Sequence, residues 1–457
     1  MPSDVNVAAL QDRLSRIVGA EYVGGGPEST APYAIDGVVP GLTVRPGTQE
    51  EVSKAVVACA AAGASMIPWG GGTAMGLGNR PARADVVVLL DRLDRVVEFD
   101  PANLCITVEA GMRLGKLQEV IAASQEVLPL DPPDDDKVTL GGLVAANQSG
   151  PGRLHYGTAR DWVLGLRVVL PDGERVRCGG RVIKNVSGYD MNKLFIRSFG
   201  TLGIVTEVTV KLLPMPVTRA GVVGLFPELK QATDVVAKVL ASFLLPDALD
   251  LLDPAATSLL APRLGLKGNG YALAVALAGS RSTVDRQLRD FEALFREGGG
   301  TVTSLGEGET APAWRSIRNV FSLLPLAHAG RITCKITVPI ARTGEMLRSA
   351  GMLGKKVSLE AAVVAHAGSG VVVAAYPLGP KVPSEETVVS LRAGLEELRK
   401  EAVAAKGSLV LLEAPPGFKA RMDAWGKPGP GLEVMKRLKA EFDPRGLCNP
   451  GRFLGGI

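Results

Sequence analysis

The sequence predicts an α+β chain in two main parts. Residues 1–214 form a glycine-rich ligand-binding domain, residues 215–414 an α+β cap domain on an antiparallel sheet, and residues 415–457 a C-terminal segment. Three observations carry this. Glycine is abundant at 55 residues while aromatics make up 5%, which favours tight turns and closely packed layers over an all-β sandwich. A strand, helix, strand pattern runs straight into "GGGT" at 70–73. From about 217 to 410, apolar strand runs alternate with helical stretches, the pattern of one antiparallel sheet with helices on one side.

In chain order, Val7 to Val18 has a helical period. "LTVRPGTQEEVSKAVVACAAAGASMIPWGGG" from Leu42 then reads strand, turn, helix, strand, glycine loop. Thr48 is placed to cap the helix, Glu50 and Glu51 suit its positive end, and Val52, Ala55, Val56 and Cys59 share one face. "ADVVVLLDRLDRVVEFD" and "CITVEAG" read as strands and "RLGKLQEVIAASQ" as a helix. "LGLRVVLPDGERVRCG" alternates about an Asp172-Gly173 turn, a hairpin signal. "RSFGTLGIVTEVTVKLLP" gives a turn and a strand, and Pro214 and Pro216 mark a boundary. In the second part "GYALAVALAG", "RITCKITVPI" and "SGVVVAAYPL" are strands, with helices expected at 230–243, 283–296 and 385–405.

Composition excludes several classes. A net charge of +4 from 51 basic and 47 acidic residues is too mild and dispersed for a nucleic-acid or anionic-membrane surface. The five cysteines, 59, 105, 178, 334 and 448, are far apart in sequence. That argues against a local Fe–S or zinc cluster and for reduced thiols. "AAVVAHAGSGVVVAAY" (361–376) is too short to cross a bilayer and reads as two buried strands. The N-terminal "MPSDVNVAALQDRLSRIVG" lacks the basic-then-apolar order of a signal peptide.

The run "WGGGTAMG" asks for a ligand that needs bare backbone, and a phosphate held by an N–H nest is the first reading. A Rossmann turn is the rival, with Asp91 at ribose-binding distance. It must open a helix, however, and "LGNRPARAD" has no helical period. A purely structural glycine turn is the third reading. Two more glycine segments, "TLGGLVAANQSGPGRLHYG" (139–157) and "KNVSGYDMNKLFIRSFGTLGIVTE" (184–207), sharpen the choice. Three bare segments in one domain imply a long ligand lying across several loops.

Together these segments, with the closing "FDPRGLCNPGRF", resemble the FAD-binding domain of the PCMH type, the vanillyl-alcohol oxidase superfamily. The resemblance implies non-covalent FAD, because Thr73 stands where covalent members carry histidine. It implies that Gly70, Gly71, Gly72 and Thr73 cradle the diphosphate. Gly141, Gly142, Ala146, Asn147, Ser149 and Gly150 would lie along the ribityl chain and isoalloxazine, and Gly203, Ile204 and Val205 against the adenosine or flavin side. Pro132, Thr139, Tyr156 and Gly157 belong to the same implied set. Lys184 has two readings, a positive charge near the flavin or a solvated turn lysine. Asn449 also has two, closing over the flavin or shaping an Asn-Pro turn.

Catalytic members of the family resembled carry a metal-binding H-x-G-D-G-N-x-H stretch and a later E-H-G. Here the first is "AHAGSGVVVAA": His366 remains, Ser369 replaces the acid, and Val371 and Val373 stand where Asn and the second His belong. In "LEAPPG", Glu413 remains and Ala414 replaces the histidine. No metal site is expected, and His366 reads as a polar residue at a strand end. "WRSIRNVF" offers Arg318 for a substrate carboxylate, and Lys335 stands where catalytic subunits often have Asp. Arg318, Lys335 and Glu413 are therefore the catalytic candidates. The pattern resembles the FAD-binding E-type subunit of bacterial glycolate oxidase. That implies electron transfer beside a catalytic flavoprotein and an Fe–S partner, in a cytoplasmic complex that reaches the membrane through partner subunits. A stand-alone dehydrogenase of a hydroxy acid or alcohol is the alternative.

Overall fold

A computed structural model describes residues 5–182, 188–324, 330–379 and 384–457. The chain divides into two compact units: Met1–Gln148, Thr158–Met215 and Lys427–Ile457 form the first, and Ser149–Gly157 with Pro216–Gly426 the second. The C-terminal segment thus begins at Lys427 rather than 415, and the short segment 149–157 joins the second unit.

The first unit holds two main sheets and a two-stranded pairing of Glu126–Val127 with Leu213–Pro214. One main sheet has the strand order Val23–Gly25, Leu42–Val44, Val86–Leu89, Met66–Trp69, and its last three strands run parallel. Such strands need crossovers, and the helix Gln49–Ala62 supplies one. Thr48 caps it by accepting from the Glu51 N–H, and Gly63 ends it in the left-handed region. Its buried face, Val52, Ala55, Val56 and Cys59, joins Leu10, Leu14, Val44, Val86 and Val88 in one core. Each buried Val or Leu among them contributes about 1.5–3 kcal/mol. The second sheet is antiparallel, ordered Val96–Asp100, Cys105–Glu109, Ile204–Lys211, Val163–Val169, Arg175–Gly179.

The second unit is built on one eight-stranded antiparallel sheet. Its order is Thr301–Leu305, Thr218–Phe226, Tyr271–Gly279, Ala248–Leu252, Ala362–His366, Val371–Pro377, Arg331–Thr337, Ser408–Glu413. Helices cover both faces, which corrects the one-sided expectation. The reason lies in "YALAVALAG". Its odd face carries Leu273, Val275 and Leu277, while the even face carries Ala272 and Ala274. Those small residues, with Ala362 and Ala375, leave room for the helices Pro254–Leu264 and Glu307–Arg318 to bury Leu260, Leu264, Ala313 and Ile317. On the other face Phe226 meets Phe295 of helix Arg281–Glu297 edge-on at 5.8 Å between centroids. All five cysteines are buried free thiols. Burial pushes Cys59, Cys334 and Cys448 up to about 12, so they are inert packing residues.

Candidate flavin cleft

Strand Met66–Trp69 ends where Leu90 N–H bonds the Trp69 carbonyl, and the chain leaves the sheet as Gly70-Gly71-Gly72-Thr73. A Cβ on Gly70 would strike the Thr139 hydroxyl, and one on Gly71 would strike the Lys137 carbonyl. Gly72 has φ +76°, beside the Trp69 indole. The glycines are therefore bare partly because a second chain segment lies against them. That segment is the turn before the helix Leu140–Ala146, which Thr139 caps by accepting from Gly142 N–H at 3.3 Å. Gly141 sits so close to Ala110 that a Cβ would come within 2.6 Å of the alanine methyl. The third segment brings Phe199, Gly200 and Gly203, the last at φ +154°, into strand Ile204–Lys211.

The C-terminus closes this arrangement. Met66 N–H bonds the Leu447 carbonyl at 2.7 Å and Asn449 N–H bonds the Met66 carbonyl at 2.8 Å. Lys439 Nζ reaches the Thr201 carbonyl at 2.7 Å, Asp443 at 2.6 Å and the Cys448 carbonyl at 2.9 Å. Asn449 Nδ2 donates to the Phe199 carbonyl. Arg452, 3% exposed, donates from Nη2 to the Met75 carbonyl at 2.7 Å and the Leu77 carbonyl at 2.6 Å. Burial lowers its pKa to about 10, opposed by the field of Asp36, so it remains cationic at neutral pH.

These parts line a partly open cleft in the first unit. Of the residues expected at the cofactor, Gly70, Gly71, Gly72, Thr73, Thr139, Gly141, Gly142, Ala146, Gly203, Val205 and Asn449 line it. Ile204 and Pro132 are buried outside that lining. Asn147 ends its helix at φ 48°. Ser149, Gly150, Tyr156 and Gly157 belong to the second unit, where Tyr156 donates to Asp247 at 2.9 Å. Lys184 lies outside the described residues. The sequence reading missed Pro68, Ala74, Met75, Leu90, Ala145, Phe199, Gly200 and Arg452. The "NPGR" ending was the one signal that pointed to Arg452.

The lining fits FAD on two counts. Its floor is backbone from separate segments, as an extended ligand requires. The buried Asn449 Oδ1 also has no hydrogen-bond partner in the protein, and a buried amide oxygen left so takes a donor from a ligand or a water. The ribityl hydroxyls and ring N–H of a flavin are such donors.

In the second unit, strand register puts the catalytic candidates on one sheet face. Thr333 pairs with Glu413, Lys335 with Val373, Val373 with Val364, and His366 with Asp250; residues paired directly across strands project to the same side. Arg318 ends the helix that packs on this face. Glu413 is held by Arg331 Nε at 2.7 Å, and Arg331 also donates to the Phe321 carbonyl. The sequence reading had not named Arg331. His366 does end its strand, and its Nδ1 lies 2.8 Å from Oδ1 of the fully buried Asp250. Among the described residues no group of three His, Cys, Asp or Glu side chains is arranged to hold a metal. No described helix is long and apolar enough to cross a membrane.

Comparison with known proteins gives the following. Residues 40–179 match the family model of the FAD binding domain, and residues 215–453 that of the C-terminal domain of FAD linked oxidases. The chain is 27% identical to the glycolate oxidase subunit GlcD of Bacillus subtilis, over 97% of this chain and 96% of that one. It is 28% identical to a D-lactate dehydrogenase of Archaeoglobus fulgidus over 94% of each. Among solved structures, p-cresol methylhydroxylase with substrate bound superposes with a TM-score of 0.79 at 17% identity, covering 99% of this chain and 98% of that one. The 4-ethylphenol oxidase of Gulosibacter chungangensis gives 0.78 at 17%, covering 99% and 98%. At that identity the likeness is one of fold.

Proposed function

The chain belongs to the FAD-linked oxidases, and we propose that within them it is the FAD-binding subunit of a glycolate oxidase-like 2-hydroxy acid dehydrogenase complex. The observation that carries this is an asymmetry between the two units. The first keeps a complete backbone-lined cleft. The second keeps one histidine of the implied metal motif, and that histidine is engaged with Asp250.

When bound, FAD supplies an acceptor for an electron pair that can be passed on singly. The chain's own residues bind and orient it. Gly70–Thr73 present main-chain amides, Thr139 and Gly142 fix the second segment, and Asn449 offers the unsatisfied amide oxygen. Thr73 cannot form a histidyl link, so binding is non-covalent. The partners are a catalytic flavoprotein and an Fe–S subunit in the cytoplasm, a reading supported by the likeness to a protein named as a glycolate oxidase subunit.

The second reading, a stand-alone dehydrogenase of a hydroxy acid, has its own support. The relative named D-lactate dehydrogenase covers nearly the whole chain, and Lys335 and Glu413 share the sheet face on which the helix ending at Arg318 packs. In that reading Arg318 and Lys335 are the cations for a substrate carboxylate and Glu413 the acid beside them. An assay of the purified, flavin-loaded chain with D-lactate and glycolate and an artificial acceptor separates the two. The subunit reading expects negligible turnover; brisk turnover would replace it with the second.

A further inference from the structure

Among the described residues Arg452 is one of the few cations taken almost fully out of water, and it lies in the wall of the cleft. Its backbone is fixed independently of its side chain. Asn79 N–H bonds the Arg452 carbonyl at 3.0 Å and Ala82 N–H bonds the Pro450 carbonyl at 2.9 Å. Gly451 makes the turn between them at φ +82°, where a Cβ would press on Ala82 at 3.1 Å. This places the guanidinium under the stretch that follows the glycine loop. There one nitrogen gathers the carbonyls of Met75 and Leu77. Those oxygens carry partial negative charge beside a loop whose amides suit an anion. Capturing them removes that opposition, and the guanidinium adds a full positive charge.

A guanidinium is costly to desolvate, and this one stands in the cleft wall with Nη2 fixed on the turn that follows the glycine loop. We infer that Arg452 is a binding and positioning residue for the cofactor: it holds the Met75–Leu77 turn in shape and supplies the fixed cation for the FAD diphosphate. The inference rests on the flavin reading of the cleft. Asp36 sustains the guanidinium's charge against the burial that would lower it.

The test is titration of FAD into flavin-stripped full-length protein at low and high salt, for wild type, R452M and R452K, with the melting temperature of each stripped protein. Saturable binding by wild type is the control, and its absence refutes the flavin reading rather than this one. R452M is expected to weaken FAD about tenfold or more, the scale of a lost charged hydrogen-bonding partner. Its affinity should also fall less steeply with salt than that of wild type. R452K, which keeps the charge on a shorter reach, should lose less. An R452M affinity within about twofold of wild type, or an unchanged salt dependence, overturns the inference. If R452M does not fold, R452K decides: several-fold weaker FAD with an unchanged melting temperature supports the role, and unchanged affinity overturns it.

Discussion

Asn449 donates through Nδ2 to the carbonyl of Phe199, joining the last turn of the chain to the third glycine segment. Both residues have positive φ, 47° and 55°, and both line the cleft. The bond fixes the amide so that its other atom, Oδ1, is buried without a protein partner. Replacing it tests whether that orphan is a ligand contact. N449A should weaken FAD binding about tenfold in a titration of stripped protein, because it removes an acceptor worth about 1–3 kcal/mol. N449D keeps the oxygen but loses the donor to Phe199, so it should mainly lower the melting temperature. Equal flavin affinity in N449A and wild type would return this residue to the role of a turn former.

The second unit carries a pH-dependent weakness at Asp253. It is 6% exposed and caps the helix Pro254–Leu264 by accepting from Ala256 N–H at 2.8 Å. Burial outweighs its backbone hydrogen bonds and raises its pKa to about 6. A carboxyl with a raised folded pKa binds a proton more tightly folded than unfolded. Its cost is therefore absent below about pH 4, grows between about 4 and 6, and is complete above that. D253N keeps a cap acceptor without the charge. Relative to wild type it should gain about 3 kcal/mol between pH 4 and pH 7, read as a melting-temperature difference that widens in favour of Asn as pH rises. A difference flat with pH contradicts this.

His366 and Asp250 form a pair that only three-dimensional register reveals. They are separated by 116 residues and directly opposed on adjacent strands. H366A would leave the fully buried Asp250 side chain without its hydrogen-bond partner, at a cost of about 1–3 kcal/mol. The double variant D250L/H366L should be the milder change, since replacing both partners of a buried polar pair by apolar groups is tolerated better than stranding one. Thermal scans of the two proteins test the order, and H366A melting at or above the double variant contradicts it.

Thr73 lines the cleft, and the proposed non-covalent binding can be read from a denatured sample. Acid precipitation of the flavin-loaded protein should leave the yellow colour in the supernatant. Colour in the pellet would mean a covalent bond to another residue.

Local chemistry was legible in the sequence and long-range covering was not. Thr48 and the face of Val52, Ala55, Val56 and Cys59 announced the helix Gln49–Ala62 because caps and periodicity act within a few residues. The glycine loop announced a bare surface, but not that Lys137 and Thr139 enforce it. The helices Pro254–Leu264 and Glu307–Arg318 went unread because each carries an internal proline, Pro262 and Pro312. Without them the even face of the central strands seemed uncovered. The cleft's glycines could be named from motifs, whereas Phe199 and Arg452 enter it through the path of the backbone. Arg331 went unnamed beside Glu413 because, 82 residues earlier, it becomes its neighbour only when strands Arg331–Thr337 and Ser408–Glu413 pair.

The central claim is that bare main-chain segments from three parts of the first unit make one FAD site, and Gly71 is its most exacting position. Any Cβ there meets the Lys137 carbonyl, whereas one on Gly431, an exposed glycine of the same unit, meets nothing within 4 Å. FAD titrated into stripped wild type, G71A and G431A gives the decisive comparison. The expected result is saturable, equimolar binding by wild type and G431A and at least about a hundredfold loss in G71A, from an overpacking strain of about 3 kcal/mol. No binding by wild type, or G71A binding as tightly as G431A, would contradict the account.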